Sequence, residues 1–414
     1  MTNFRFRFTR LAVLLLVLCG LSNGAAHAQQ APATPAGRAR FDITHYRIEA
    51  EVRPSENFLS AIGDVTFTPL DATRSVVFEL NGSLKVESVE RGGVALTNFV
   101  QDPVGIDTIG PSVRVDLGEV VAAGTPVTLR FKWGGILVTP EGGPLATKRL
   151  AYIGNEGSYL MYAARWFPFH DYAADRATSD ITIIAPAGME IAGTGDDAAA
   201  AQASTDAPLR MGEGPSATRT NTGAAAGAVR NAPRPLPARP AQANTTRRRF
   251  VQTTPALVGN FAVGRYITRS LNFGGYTLQF FVQPGSEGRI EHYAEVAGRA
   301  LQFYTKQYGS PAFGTRFVVV QIDDQSLDAY AGPGIQFLSA RYFDPARQTG
   351  LDERIQREVA FQWWGLTVAL KSFDDAWLSQ GLAEWSAFAL REQQLSGGPL
   401  ESAQRDMQER ALMF

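Results

Sequence analysis

The feature that most constrains the fold of this chain is a strict alternation of apolar and charged residues in its N-terminal part. Tyr46, Ile48, Ala50 and Val52 alternate with charged residues at 47, 49 and 51. Because successive side chains of a strand point to opposite faces, this period of two predicts a strand with one buried face. Similar short apolar runs, separated by Gly and Pro, follow at 65–67, 76–78, 113–115 and 127–131. They predict an antiparallel β saddle or sandwich.

A helical period replaces this strand pattern in the C-terminal part. Apolar residues recur at helical spacing from Tyr293 to Tyr304, and Gly309 with Pro311 follow as a stop signal. A continuous apolar strand is predicted at 317–322, and two helices over roughly 351–370 and 376–395. We therefore predict an α+β multidomain protein. Residues 41–285 form a β-rich domain and residues 286–414 a mixed α/β domain.

Residues 195–249 interrupt the β-rich region with a different composition. The stretch is rich in Ala, Pro, Thr and Gly and has no aromatic residue before Phe250. Such a segment cannot bury enough apolar surface to order itself, so a disordered insertion is predicted. It holds eight Arg against four acids, which also allows a basic arm for an anionic partner such as lipid headgroups.

The N-terminus has the pattern of an export signal. Arg5, Arg7 and Arg10 precede an apolar run at 11–21, and Ala26-His27-Ala28 forms a small-x-small cleavage site. This predicts a signal peptide at 1–28, a flexible segment at 29–40, and a periplasmic or secreted protein. No later stretch is apolar enough for a membrane span of about 20 residues.

The net charge and the cysteine content of the chain argue against two classes of function. Without residues 1–28 the chain has 36 basic against 40 acidic side chains, and it lacks the single cysteine, Cys19. It has no basic excess to neutralise phosphates, so nucleic-acid binding is not expected. Disulfides and thiol chemistry are excluded from a chain cleaved after Ala28.

Two short words in the C-terminal domain carry a specific resemblance. Residues 357–365 read R-E-V-A-F-Q-W-W-G, and residues 377–385 read W-L-S-Q-G-L-A-E-W. They resemble the words H-E-x-x-H-Q-W-(W/F)-G and W-L-(N/S)-E-G-(F/L)-A of the aminopeptidase N (membrane alanyl aminopeptidase) family, at the spacing of that family. The resemblance implies that residues 286–414 form a thermolysin-like (gluzincin) domain.

The resemblance also implies which residues the family's zinc chemistry would need. Two His at i and i+4 and a Glu on the next helix hold the zinc, and the Glu of the first word is the general base. The ligand positions are occupied here by Arg357, Phe361 and Gln380, while the base position keeps Glu358. Arg is permanently protonated, Phe has no donor atom, and an amide is a poor ligand. No bound zinc or other cofactor is therefore expected.

A second family word is altered as well. The family's G-x-M-E-N strand, whose Glu holds the amino group of the substrate, matches residues 328–332, and this Glu falls on Ala331. The expected cleft consists of Tyr330, Gly332, Pro333, Gly334 and Glu384. The family's transition-state tyrosine and helical C-terminal domain lie beyond these words, so the peptidase-like domain is expected to be incomplete in this sequence.

Several interpretations remain open at this stage. The favoured one is an exported protein without zinc-dependent hydrolysis that binds peptides or an envelope protein. The alternatives are an active zinc aminopeptidase with ligands such as His45, His170 or His292, a metal-free hydrolase using Glu358 with Asp324 or His170, and a structural, partner-binding ectodomain. The Arg357 side chain is predicted either to pair with Glu353 along the helix or to neutralise carboxylates such as Glu384.

Overall fold

The computed structural model describes residues 39–104, 110–138, 148–173, 175–198, 244–324, 326–344 and 350–412. The predicted signal peptide and most of the predicted insertion lie outside these ranges. The strands of the β-rich part are β1 (Phe41–Arg53), β2 (Phe58–Pro69), β3 (Thr73–Glu79), β4 (Lys85–Arg91), β5 (Val94–Ala95), β6 (Phe99–Asp102), β7 (Ser112–Val121), β8 (Val127–Ile136), β9 (Ala151–Tyr152), β10 (Ser158–Leu160), β11 (Ala177–Pro186), β12 (Glu190–Gly193), β13 (Asp196–Asp197), β14 (Thr245–Ala256) and β15 (Phe261–Gly264).

The strands that follow are β16 (Ile267–Phe273), β17 (Tyr276–Val282), β18 (Arg316–Ile322), β19 (Ala329–Gly332) and β20 (Ile335–Ser339). The helices are α1 (Ile290–Tyr308), α2 (Leu351–Ala360), α3 (Ala376–Gln394) and α4 (Gly398–Leu412). No helix of the described residues is long and apolar enough to cross a membrane.

The β-rich part consists of three sheets. The largest has the strand order β13-β14-β11-β1-β2-β8-β4-β5, and the others have the orders β12-β15-β10-β9 and β3-β7-β6. The alternating residues Tyr46, Ile48, Ala50 and Val52 are all buried, as their period predicts. One pairing differs from the antiparallel expectation, because β1 and β11 run parallel. A parallel pair requires a long connection, and the intervening strands provide it.

The edges of the predicted insertion are ordered. Strand β13 (Asp196–Asp197) pairs with β14, which begins at Thr245, so both ends of the predicted insertion 195–249 contain residues of the sheet. The basic residues at this end are not free for a partner. Arg247, Arg248 and Arg249 form ion pairs with Glu49, Asp197 and Asp180, respectively.

The second part of the molecule is built on a five-stranded sheet of order β16-β17-β18-β20-β19. The central strand β18 runs parallel to both of its neighbours, and all of its residues after Arg316 are buried. A continuous apolar run is typical of such a strand, which is covered on both faces. The hairpin β16–β17 belongs to this sheet, although it lies inside the predicted β-rich domain 41–285, so the sheet crosses the predicted boundary.

The helices carry the buried stripe that the sequence predicts, with one change of length. Tyr293, Val296, Ala297, Ala300, Leu301 and Tyr304 of α1 are all buried. Helix α2 ends at Ala360 instead of about 370. The chain then turns back on itself, and Gly365 has a φ of 108°, which L-residues with a side chain rarely adopt. Hydrogen bonds from Val368 N–H to the Trp363 carbonyl and from Gly365 N–H to the Val368 carbonyl close this turn.

Candidate active site

The residues at the predicted zinc-ligand positions meet where α2 packs against α3. Helix α2 contributes Arg357 and Glu358, and Phe361 follows at its C-terminal cap. Helix α3 contributes Gln380 and Glu384, one turn apart. The i, i+4 spacing places Arg357 and Phe361 on one face of the helix end. The predicted site residues of the two words are therefore brought together.

The guanidinium of Arg357 occupies the centre of this cluster. Its Nη1 donates to Glu358 Oε1 at 3.0 Å, and its Nη2 donates to the side-chain oxygen of Gln380. Its Nε lies 2.6 Å from Glu384 Oε1, so the two groups form an ion pair. The N–H bond does not point at this oxygen, and the contact is therefore not a hydrogen bond. Its Cζ lies 5.0 Å from the centre of the Phe361 ring, in cation–π contact. One arginine side chain thus contacts the residues at both of the other predicted ligand positions, Gln380 and Phe361.

Glu358, at the predicted general-base position, is buried and contacts two arginine side chains. The Glu358 residue is 4% exposed, and its Oε1 lies 3.0 Å from Arg357 Nη1 and 3.1 Å from Arg354 Nε. Burial raises the pKa of Glu358, and the charges of Arg354 and Arg357 act in the opposite direction. A carboxylate oxygen held between two guanidinium groups is poorly placed to take a proton from water.

The cluster continues as an alternating row of charges. Beyond Glu358, Arg354 lies 3.9 Å from Asp328, and Arg341 contacts the same carboxylate. Together with Arg357 and Glu384, the row contains three arginines and three acids. The predicted helix pair between Glu353 and Arg357 does not form, because Glu353 contacts Arg391 of α3 instead. The sequence pattern favoured a pair along one helix, whereas the packing of α3 supplied a nearer partner.

The residues of this cluster do not fit a zinc ion. Zinc in proteins is held by thiolate, imidazole and carboxylate donors, usually four in all with water included. Arg357, Phe361 and Gln380 provide none of these donors. In the part of the chain that the structure describes, no three His, Cys, Asp or Glu side chains are grouped so that they could hold a metal ion.

The three histidines considered as replacement ligands lie on separate elements, each with its own partner. His45 lies 2.7 Å from Thr178 Oγ1, and His292 lies 2.7 Å from Asp352 Oδ1. His170 contacts Asp175 at 2.5 Å and stacks on Phe41. These contacts hold each imidazole locally.

Asp324 is also committed to a structural interaction. It is buried, accepts a hydrogen bond from Tyr159 at 2.5 Å and lies 3.3 Å from Arg149. Burial alone would raise the pKa of Asp324, but hydrogen bonds from Tyr159 and Ser326 outweigh it and lower the pKa. This arrangement stabilises a carboxylate that joins the end of β18 to β10, rather than a catalytic partner of Glu358.

Gln362, Trp363 and Trp364, which match the first family motif, form hydrogen bonds that hold neighbouring elements together. Gln362 Nε2 donates to the Gly332 carbonyl at 3.0 Å, and Gly334 N–H donates to Gln362 Oε1 at 2.9 Å. The indole N–H of Trp363 donates to the Gly309 carbonyl, and that of Trp364 donates to Ser386 Oγ. The residues of the first word that match the family thus attach the end of α2 to the β19–β20 hairpin, to the end of α1 and to α3.

Four of the five predicted cleft residues lie on a hairpin at the edge of the five-stranded sheet, and the fifth, Glu384, lies on α3. Tyr330 and Ala331 lie on β19, which ends at Gly332, and Pro333 with Gly334 forms the turn to β20. Gly334 has a φ of 68°, which a two-residue turn requires and glycine adopts without strain. Ala331 lies in register opposite Gln336 of β20. Gln336 is not among the predicted site residues; the signal for it was a polar residue within the apolar run of β20.

Comparison with known proteins supports the predicted resemblance. No protein-family model matches the chain. A curated protein, Aminopeptidase 2 of Candida albicans, is 26% identical over 149 residues, which are 33% of this chain and 16% of that protein. The chain thus spans about a sixth of the length of this curated relative.

Solved structures show the same fold over most of the chain. A variant of a two-domain M1 zinc metallopeptidase bound to L-arginine has a TM-score of 0.66 and 19% identity, with 91% of this chain and 77% of that chain covered. An M1 zinc metallopeptidase from Deinococcus radiodurans has a TM-score of 0.64 and 19% identity, with coverage of 91% and 76%. A variant of that enzyme bound to a Tyr-Ser-Ala substrate has a TM-score of 0.61 and 18% identity, with coverage of 88% and 74%. The predicted α+β fold class is confirmed.

Proposed function

The chain has the fold of the M1 zinc metallopeptidases, and from this premise we propose that it binds peptide or extended protein segments without zinc-dependent hydrolysis. The observation that carries the proposal is the position of the Arg357 guanidinium, in contact with Glu358, Gln380 and Glu384. A permanently charged cation stands among the residues that would have to hold Zn²⁺. The zinc aminopeptidase relationship then describes the ancestry of the cleft rather than its present chemistry.

Electrostatics supports the loss of metal binding. Restoring a donor at Phe361 or at Gln380 alone would still leave Zn²⁺ next to the Arg357 guanidinium, and like charges at contact distance repel strongly where little water screens them. The carboxylates that could attract a cation, Glu358 and Glu384, are already paired with Arg357. Without a metal-bound water, Glu358 has no activated nucleophile to deprotonate.

Peptide binding is supported by the geometry of β19. Within the described ranges this strand pairs on one side only, with β20, and it ends the sheet. Edge strands present unpaired N–H and C=O groups that an extended peptide can complete. The Gln362 side chain attaches α2 to the turn that follows β19, which keeps the edge strand beside the charged cluster. The binding of a tripeptide substrate by a protein of this fold is consistent with the proposal.

Metal analysis tests the loss of zinc chemistry directly. The purified protein is dialysed with zinc, its metal content is measured, and release of aminoacyl-anilide product is followed with and without chelator. We expect no stoichiometric zinc and no chelator-sensitive release. The triple variant Arg357→His, Phe361→His and Gln380→Glu is the positive control, because it restores the three donors. Stoichiometric zinc in the unmodified protein, together with chelator-sensitive trimming, would refute the proposal.

We also propose that the protein is exported to the periplasm or secreted, on the basis of the signal-like residues 1–28. Expression of the full sequence in a bacterial host should yield a mature protein that begins at Gln29. N-terminal sequencing of the envelope and medium fractions measures this. A protein that stays in the cytoplasm with Met1 intact would contradict it.

A second candidate function is the recruitment of a protein partner through α3, and a specific feature favours it. Trp377 and Trp385 are 69% and 53% exposed, and Leu378 and Leu382 are exposed beside them. Large apolar side chains grouped on one helix face mark interaction surfaces more often than isolated ones do. A pull-down from an envelope extract with the double variant Trp377→Ala and Trp385→Ala as control tests it; capture that is unchanged by the variant would exclude this face.

A further inference from the structure

A small cavity adjoins the strand position from which the amine-holding carboxylate is missing. It has a volume of about 10 Å³ and is lined by residues that include Phe169, Tyr172, Asn260, Tyr330 and Ala331. None of the described residues that line it is charged. A volume of this size holds at most about one water molecule. A ligand chain would therefore pass along β19 rather than insert a side chain there.

The polar groups near this position are neutral and have unused hydrogen-bonding capacity. Asn260 is 3% exposed; its Nδ2 donates to the Met161 carbonyl, whereas its Oδ1 has no hydrogen-bond partner among the described residues. Gln336 is fully buried opposite Ala331, and neither its Oε1 nor its Nε2 has a partner there. Among the described residues that line the cavity or lie opposite Ala331 on β20, the polar side chains are thus uncharged.

The backbone of Ala331 faces the open edge of the sheet. Ser339 N–H donates to the Asp328 carbonyl at 3.0 Å. In an antiparallel pair the bonding direction alternates along the strand, so residues 328, 330 and 332 bond towards β20. Ala329 and Ala331 consequently direct their N–H and C=O groups away from β20, where an added strand would meet them.

These features disfavour a ligand whose free N-terminus lies at Ala331. An ammonium group moved from water to this position would lose hydration and find no carboxylate among the lining residues, which is unfavourable for a cation. The charged groups nearest in sequence to the strand offer no free compensation, because Asp328 is paired with Arg341 and Arg354. A peptide group has no net charge and does not incur this loss.

We propose, building on the peptide-binding function inferred above, that the cleft selects peptides without a free amine, either N-terminally blocked or bound at an internal segment. Ala331 is the specificity-determining residue. A free N-terminus is disfavoured because position 331 supplies no counter-charge, whereas the open edge of β19 accepts a continuous backbone. This preference is opposite to the one that the zinc aminopeptidase resemblance implies.

Affinity selection from matched peptide pools tests the inference. Two random octapeptide amide pools, one with free N-termini and one N-acetylated, are incubated with the immobilised full-length protein, and retained peptides are counted by mass spectrometry. An unpaired ammonium at a partly desolvated site costs at least about 1 kcal/mol, so acetylated peptides should be enriched about fivefold or more. Equal retention of the two pools, or preference for free amines, would overturn the inference while leaving peptide binding intact.

Two substitutions at position 331 separate the effect of side-chain charge from the effect of side-chain size. Ala331→Glu should reverse the preference towards free amines, since the new carboxylate supplies the counter-charge and Gln336 has an unused donor opposite it. Ala331→Gln, of equal size and no charge, should keep the preference of the unmodified protein. A reversal in both variants, or in neither although both fold, would contradict the role of charge at this position. Retention of neither pool by the unmodified protein would instead reject the proposed binding function itself.

Discussion

Replacement of Arg357 by His is the most informative single change, because it returns one metal-ligand residue while removing the centre of the ion-pair cluster. The arginine side chain is 15% exposed and contacts Glu358, Glu384, Gln380 and the Phe361 ring. A neutral imidazole is shorter and cannot reach all of these partners. We expect the variant to be less stable and still unable to bind zinc, since Phe361 and Gln380 remain.

The size of the effect follows from which partners are left without compensation. Removal of one member of a fully buried ion pair costs about 3–5 kcal/mol. Here Glu358 keeps Arg354 at 3.1 Å, and the Glu384 side chain is 38% exposed, so water can replace part of its interaction. We therefore expect a loss of about 2 kcal/mol in the free energy of unfolding, in the range for hydrogen bonds to charged groups.

Urea unfolding monitored by tryptophan fluorescence measures this difference. Arg391→Ala is the matched control, because it removes an arginine whose partner Glu353 is more exposed, and it should cost less than about 1 kcal/mol. Adding Glu358→Gln to Arg357→His should recover part of the loss, since the buried charge is removed with its partner. An Arg357→His protein as stable as the original, or a double variant less stable than the single one, would refute the reasoning.

The remaining predictions concern the scaffold, the buried acid and the exposed helix face. Gln362→Leu removes both hydrogen bonds to the hairpin at Gly332 and Gly334, and should lower the free energy of unfolding by about 2–3 kcal/mol; urea titration should detect it, and an unchanged midpoint would contradict the role of Gln362. The pKa of Glu358 is raised above its ordinary value of 4.5 by burial, so the folded state binds more protons than the unfolded state just above this pH. The stability that protonation of Glu358 contributes to the folded state is therefore fully present below pH 4.5 and is lost as the pH rises through the folded-state pKa. Glu358→Gln should flatten the dependence of stability on pH in that window, and a slope unchanged by the substitution would argue against the raised pKa. Trp377→Ala should change stability by less than about 0.5 kcal/mol, because the indole is 69% exposed; a larger loss would mean that Trp377 packs within the chain.

Much of the local structure was predictable because it depends on short-range periodicity. The alternation around Ile48 and the helical stripe from Tyr293 to Tyr304 identify buried faces without knowledge of the partners. The end of α2 was predicted less well. A positive φ at Gly365 and the closing of a turn are needed to stop that helix, and Gly alone does not specify them.

The candidate site shows the same division. Arg357, Phe361 and Gln380 lack the donor groups of zinc ligands. This is a property of the side chains themselves, so it could be recognised from the two sequence motifs alone. The partner of Arg357 could be predicted only as two alternatives, Glu353 along the helix or a carboxylate such as Glu384. The packing of α3 decides between them, because it brings Glu384 to Arg357 and Arg391 to Glu353.

The amino-acid sequence by itself determined the strand and helix periods, the resemblance to a zinc aminopeptidase family and the absence of zinc donors at three positions. Only the tertiary structure decided that β1 pairs in parallel with β11, that β16–β17 joins the sheet of β18, and that one guanidinium connects Glu358, Gln380 and Glu384. The physical reason is that periodicity and donor chemistry are carried by neighbouring residues. Pairing between distant segments is instead a competition among many possible contacts, which the packing of the whole chain resolves.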